Sequence, residues 1–223
     1  MLFVLIVLLL VASVFVLLMK KNRESLCLLG MCCSLMVQFS GILIFIAKKG
    51  GYSRSIINFL FFSQALRNKL QYLFITLDAL GYIIAVGRYL FPLFLLESAL
   101  QYSMIGWIRR HPDIQKWICV LPAATLAVYF PPVFRFIVNQ WPVMHSVLVE
   151  GSYWWITAYV AVALVLMIQE LFAITMRFCR KQFVGIVGCH LALSGLYLLY
   201  CGQDPAQVYQ FYSYDYILSL IHI

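Results

Sequence analysis

Five ionisable residues sit inside long apolar runs of this chain: Asp78, Arg88, Glu97, Arg135 and Glu170. Charge in hydrocarbon is costly, so such a side chain faces a partner, a protein interior or water and marks a candidate functional position. Spacing limits the pairings. Asp78 and Arg88 are ten residues apart, about 15 Å along a straight helix, too far for direct contact. Partners must come from other helices or from solvent. Asp78 and Arg135 both fall near the outer face of the topology derived below, so an interhelical pair between them is expected. Arg88 falls near mid-membrane and needs a carboxylate, carbonyl groups or a wet cavity. Glu97 and Glu170 fall in the inner half. Two readings of this set stay open. The residues clamp the bundle, or they line a ligand cavity or charge-coupled switch in which Arg88 faces the interior and sets the resting state.

Aromatic residues form a second constellation. Residues 202–216 carry Tyr209, Phe211, Tyr212, Tyr214 and Tyr216 among Gln and Asp side chains. Rings favour the membrane–water boundary. They also suit a recognition surface, with rings stacking on a small molecule or peptide and amides fixing its orientation. Under the second reading an extracellular ligand lies between Tyr209, Tyr212 and an outer loop holding Trp141, His145 and Trp154.

Other catalytic patterns are missing from the sequence. It contains no GxSxG, no HExxH and no glycine loop before a lysine of the phosphate-cradling kind. His111, His145 and His190 are scattered, and a helix–helix hydrogen bond suits His190 better than a metal. The seven cysteines form no CxxC pair and read as small packing residues. The expectation is no metal, no cofactor and no catalytic residue in this chain.

These residues are positioned by strongly apolar elements. Of the 223 residues, 64% are hydrophobic and 11% charged, with a mean hydropathy of +0.94. Soluble domains are about 45–50% apolar and about 25% charged, so a soluble fold is excluded. Continuous rather than alternating apolar runs disfavour a transmembrane barrel. The fold class expected is an all-α polytopic transmembrane bundle.

Six spans are expected, at about 1–19, 26–47, 78–108, 117–138, 153–176 and 183–201, with the start of a seventh at Tyr216-Ile217. Residues 52–76 alternate apolar clusters with Gln64, Arg67, Asn68 and Lys69 and read as an amphipathic or re-entrant piece. Pro92, Pro122 and Pro131-Pro132 mark places where helices bend or end. Pro131-Pro132 either ends a span or breaks it beside an outer pocket.

The formal charge of +8 comes from 16 Lys and Arg against 8 Asp and Glu. In this setting the excess signals topology rather than nucleic-acid binding. Loops 20–25, 105–116 and 177–182 hold Lys20, Lys21, Arg23, Arg109, Arg110, Lys116, Arg177, Arg180 and Lys181. Loops 139–152 and 202–215 hold none, while 48–76 holds Lys48, Lys49, Arg54, Arg67 and Lys69. The distribution places both ends outside a cytoplasmic membrane, with the first helix an uncleaved anchor, provided 52–76 does not cross.

The last six residues, Leu218-Ser219-Leu220-Ile221-His222-Ile223, match the translation of a transposon-library sequencing adapter. The expectation is a sensor or input domain over 1–217 and adapter read-through over 218–223. A true seventh-helix start is the alternative.

Several stretches resemble the N-terminal membrane region of sensor histidine kinases of anaerobic Gram-positive bacteria. They include Leu66-Arg67-Asn68-Lys69-Leu70-Gln71-Tyr72, Ile75-Thr76-Leu77-Asp78, Gly87-Arg88-Tyr89-Leu90-Phe91-Pro92 and Tyr129-Phe130-Pro131-Pro132. The run from Leu198 to Tyr212, with Cys201-Gly202-Gln203-Asp204-Pro205, adds to the pattern. The resemblance implies an input module for a two-component system, a homodimer, and a downstream kinase region that would use ATP and Mg²⁺ and address a response regulator. A small transporter or permease is the competing reading, since mid-membrane charges and prolines suit it equally.

Overall fold

The computed structural model describes residues 2–18, 22–49, 59–61, 63–103, 113–174 and 177–200. Among them there is no strand, and eight helices follow in order. They are α1 (Leu2–Leu18), α2 (Arg23–Lys49), α3 (Gln64–Gln71), α4 (Leu77–Tyr102), α5 (Ile114–Val128), α6 (Pro131–Gln140), α7 (Val143–Ala173) and α8 (Arg177–Tyr200). The segments at 104–112 and beyond 200 lie outside the described residues, as do Tyr209, Tyr212 and the adapter-like end.

Four helices are long and apolar enough to cross a membrane: α2, α4, α7 and most of α8. The bent pair α5–α6 makes five if counted as one span, and α1 is a shorter apolar helix of 17 residues. Of the six expected spans, four or five are of spanning length among the described residues, and the expected start of a seventh at Tyr216-Ile217 lies outside them. Large apolar side chains stand exposed along the outside, among them Phe15, Leu18, Trp117, Phe172 and Leu199. Apolar exposure along the helices that surround the centre is what a bilayer-facing surface requires and what water would penalise.

Helix α4 is the central element, with 15 of its 26 residues buried. Thr76 caps its start, its Oγ1 accepting from the Ala79 amide at 3.3 Å, and Asp78 sits favourably in the first turn. The helix continues through Pro92 to Tyr102, short of the expected 108. Helix α2 runs antiparallel to α4, pairing Gly41 with Ile84, Gly30 with Phe94 and Cys27 with Gln101. Helix α1 lays a stripe of Leu2, Leu9, Ser13 and Val16 into the core, the i, i+3, i+4, i+7 face of a helix.

Residues 63–76 do not cross. Helix α3 has eight residues, none buried, and at about 12 Å is too short to span a bilayer. Ser63 caps it by accepting from the Leu66 amide at 3.1 Å. The Lys48 ammonium then donates to the Leu73 and Ile75 carbonyls, both at 2.9 Å, holding the return to α4 against the end of α2. Residues 52–58 of the expected amphipathic or re-entrant piece lie outside the described residues, while 63–76 return along the end of α2 from which α4 departs.

The expected single span 117–138 is broken by 73°. Proline explains it. A residue before proline is pushed out of the helical region, and Phe130 has φ −59°, ψ 127°. Pro131 then opens α6 at the position where a missing N–H costs nothing. Trp141 is extended before Pro142 for the same reason, and α7 begins at Val143. Most of the expected outer loop 139–152 is therefore helix, and the span expected from 153 starts ten residues earlier and ends at Ala173.

The bundle has two ends. The near end gathers the C-termini of α1, α4 and α7 with the N-termini of α2, α5 and α8. The far end gathers their opposites. Contacts along α4 fix this arrangement: Tyr102 with Phe183 and Ser98 with His190 toward the near end, Arg88 with Tyr153 and Tyr197 further up.

Candidate functional site

The seam between α2 and α4 positions the most unusual residue. A Cβ on Gly87 would lie 2.5 Å from the Gln38 nitrogen and the Ser34 carbonyl oxygen, so only glycine permits this backbone approach. The next residue, Arg88, is turned into the bundle and is 0% exposed. Its guanidinium carbon is 4.6 Å from the Tyr153 ring centroid and 5.9 Å from that of Tyr89. Aromatic faces attract a cation most strongly where water is excluded. Ring faces are thus partners of Arg88 that the expectation of a carboxylate, carbonyl groups or a wet cavity did not include.

The rings continue away from Arg88. Tyr89 lies 5.1 Å from Tyr129 and 5.7 Å from Trp155, and Tyr129 lies 5.2 Å from Phe134. This cluster fills the angle of the α5–α6 break. On the other side, Tyr197 of α8 donates its hydroxyl to the Arg88 carbonyl at 3.0 Å and stacks on Phe91 at 4.5 Å. One residue position therefore joins α4, α7 and α8. Across the seam Gln38 is also fully buried, and neither amide atom has a hydrogen-bond partner among the described residues.

Asp78 and Arg135 meet as expected, with Oδ1 and Nη2 2.8 Å apart at the far end. The pair pins α6 to the start of α4, and both side chains keep solvent access. Glu97 is half-buried on α4, with its carboxyl against the Cys27 thiol. Glu170 is buried on the near half of α7. Neither joins the Arg88 cluster. Trp154 is 78% exposed on the outside of α7, while its neighbour Trp155 faces Tyr89 and Tyr159. The ligand wall expected at Trp154 is a helix exterior, and Tyr209 and Tyr212, expected opposite it, are outside the described residues.

Sequence reasoning missed a cavity of about 630 Å³ at the near end, between α1, α2, α4 and α8. Glu24, Ser25 and Asn22 line its mouth, Leu28 and Ile186 its apolar wall, and His190 its inner wall. His190 spans the helices as expected. Its Nδ1 is 2.8 Å from the Ile186 carbonyl oxygen, and its Nε2 is 2.9 Å from the Ser98 hydroxyl. A carbonyl only accepts, so Nδ1 carries the proton, and Nε2 of the neutral ring accepts from Ser98. No signal in the sequence could have found this space, because its walls come from four separated segments.

Among the described residues, no group of three His, Cys, Asp or Glu side chains is arranged to hold a metal ion. Cys27, Cys32, Cys33, Cys119, Cys179 and Cys189 are free thiols.

What the fold and these sites define is an all-helical protein with a bilayer-type exterior, a buried cation among rings and one cavity-lined end. No protein-family model matches the chain, and no curated protein or solved structure is found to match it.

Proposed function

We propose that this chain is the membrane-embedded signal-input region of a sensor histidine kinase. In this reading it forms six spans in the cytoplasmic membrane with its N-terminus outside, and acts as a homodimer. An extracellular small molecule or peptide is the signal. ATP, Mg²⁺ and the response regulator belong to a kinase region outside this chain. The observation that carries the reading is the joint at Arg88, where one fully buried residue touches rings on α7 and its carbonyl receives the hydroxyl of α8. In this reading the charge held by ring faces between helices is the switch, since small shifts of α7 or α8 change its environment.

The test is long-read sequencing of the source locus past the Ile217 codon. An in-frame kinase region supports the reading, and a stop after Ile223 overturns it. In the continuous protein, Arg88→Leu should change the output of a signalling reporter at least tenfold while membrane insertion stays intact. Unchanged output would remove Arg88 from the mechanism.

A permease is favoured by one observation, the 73° break between α5 and α6. Discontinuous helices line substrate paths in many transporters. Further apolar spans downstream, rather than a kinase region, would select it.

A further inference from the structure

We propose that the near-end cavity binds an amphipathic monoamine, with its ammonium group on Glu24 and its hydrocarbon body along the apolar wall. Its volume of about 630 Å³ lies in the range of small-molecule sites, roughly 300–1,000 Å³. Among the described residues Glu24 is the only carboxylate in the lining, and no Lys or Arg is in it. The Glu24 carboxylate accepts from the Tyr102 hydroxyl at 3.3 Å. Among the described residues this is the one side-chain bond of the Glu24 carboxylate, which is exposed at the cavity and keeps acceptor capacity for a donor there. Ser25 and Asn22 bond to each other at the start of α2, which fixes the mouth. Leu28 and Ile186 form the body of the site, and Cys189 and His190 lie along its α8 side. An ammonium group donates three hydrogen bonds and makes charge-assisted ones to a carboxylate. A hydrocarbon chain leaves water favourably for such an apolar wall.

The same chemistry is offered by a free alkylamine and by the ethanolamine headgroup of a lipid reaching in from the bilayer. Arg23 and Arg180 flank this end of the bundle in the sequence and would draw an anion instead, so an anionic probe is the necessary rival. This site is at the end opposite the extracellular ligand of the preceding reading, and it stands or falls by binding alone.

The experiment uses the whole chain in phosphatidylcholine nanodiscs with radiolabelled n-octylammonium, and empty nanodiscs as background. Saturable binding is expected, displaced by unlabelled octylammonium and at least tenfold less well by octanoate or octanol. Glu24→Gln should weaken it at least tenfold, while Glu24→Asp keeps it within threefold. Bound octylammonium should slow N-ethylmaleimide labelling of Cys189 at least fivefold, read by peptide mass spectrometry, and leave Cys119 on α5 unchanged. Adding phosphatidylethanolamine to the discs tells the two sources apart. Reduced octylammonium binding identifies the lipid headgroup, and unchanged binding identifies a free amine. Binding no higher than in empty discs, equal displacement by octanoate or octanol, unchanged binding in a folded Glu24→Gln protein, or no protection of Cys189 overturns the proposal. The wild-type competition decides the matter even if Glu24→Gln does not fold.

Discussion

Toward α2, helix α4 offers Gly87 to the backbone of Ser34 and Gln38 and receives Gly41 and Gly30 against Ile84 and Phe94. Toward α8 it offers the Phe91 ring, the Ser98 hydroxyl and the Arg88 carbonyl, reached by Tyr197 and His190. The first face is close packing of main chains through small residues. The second is bridged by long side chains, and the space they leave includes the near-end cavity. In a bilayer no hydrophobic driving force pulls helices together, so van der Waals contact and hydrogen bonds carry association. A seam built from backbone contact has one geometry. A face bridged by a few rings and hydroxyls can open at lower cost, because fewer contacts are lost together.

This contrast is most sharply broken at Gly87. Gly87→Leu should prevent assembly of a monodisperse protein, and Gly87→Ala should cost about 2–3 kcal/mol, because the new Cβ strikes backbone atoms that cannot rotate away. Thermal unfolding in detergent with size-exclusion chromatography reads both. Should Gly87→Ala unfold like the parent, the seam is not the rigid element described here.

Hydrogen exchange extends the comparison along whole helices. Amides of α8 between Phe183 and Tyr197 should exchange at least tenfold faster than those of α2 between Met31 and Ile42. Equal protection would mean that α8 is as firmly held as the seam.

Smaller effects come from single bridges. Ser98→Ala should cost about 1 kcal/mol through loss of one interhelical hydrogen bond, and Tyr197→Phe should cost a similar amount while keeping the stack on Phe91. Either change should speed exchange in α8 and leave α2 unaffected. The Asp78–Arg135 pair keeps solvent access on both sides, so a double-mutant cycle with alanine should give a coupling of about 0.5 kcal/mol that shrinks in salt.

The least effect is expected at Gly188. A Cβ there meets nothing within 4 Å, so Gly188→Ala should be neutral or stabilise the helix by up to about 1 kcal/mol. The same substitution thus has opposite sign at two glycines of one bundle, and only the surroundings differ.

Part of the candidate site was legible in the residues. The Asp78–Arg135 pair followed from two costly charges at one depth in different spans. The inward turn of Arg88 and the interhelical bond of His190 followed from the same penalty on unsatisfied polar groups. The break at Pro131-Pro132 was foreseen as one of two outcomes. What paired Arg88 with Tyr153 was not foreseen, since ring faces leave no charge to count in a sequence. Trp154 and Trp155 are adjacent and alike in composition. A rotation of about 100° between neighbours on a helix sends one outward and the other to Tyr89.

By itself the sequence determined the helical class and the apolar exterior, because each depends on local composition and on lengths measured against a bilayer. The glycine seam, the cluster around Arg88 and the near-end cavity were decided only by tertiary structure. Each depends on which faces of distant helices meet, and that choice is made by packing geometry between segments dozens of residues apart, for which local composition holds no term.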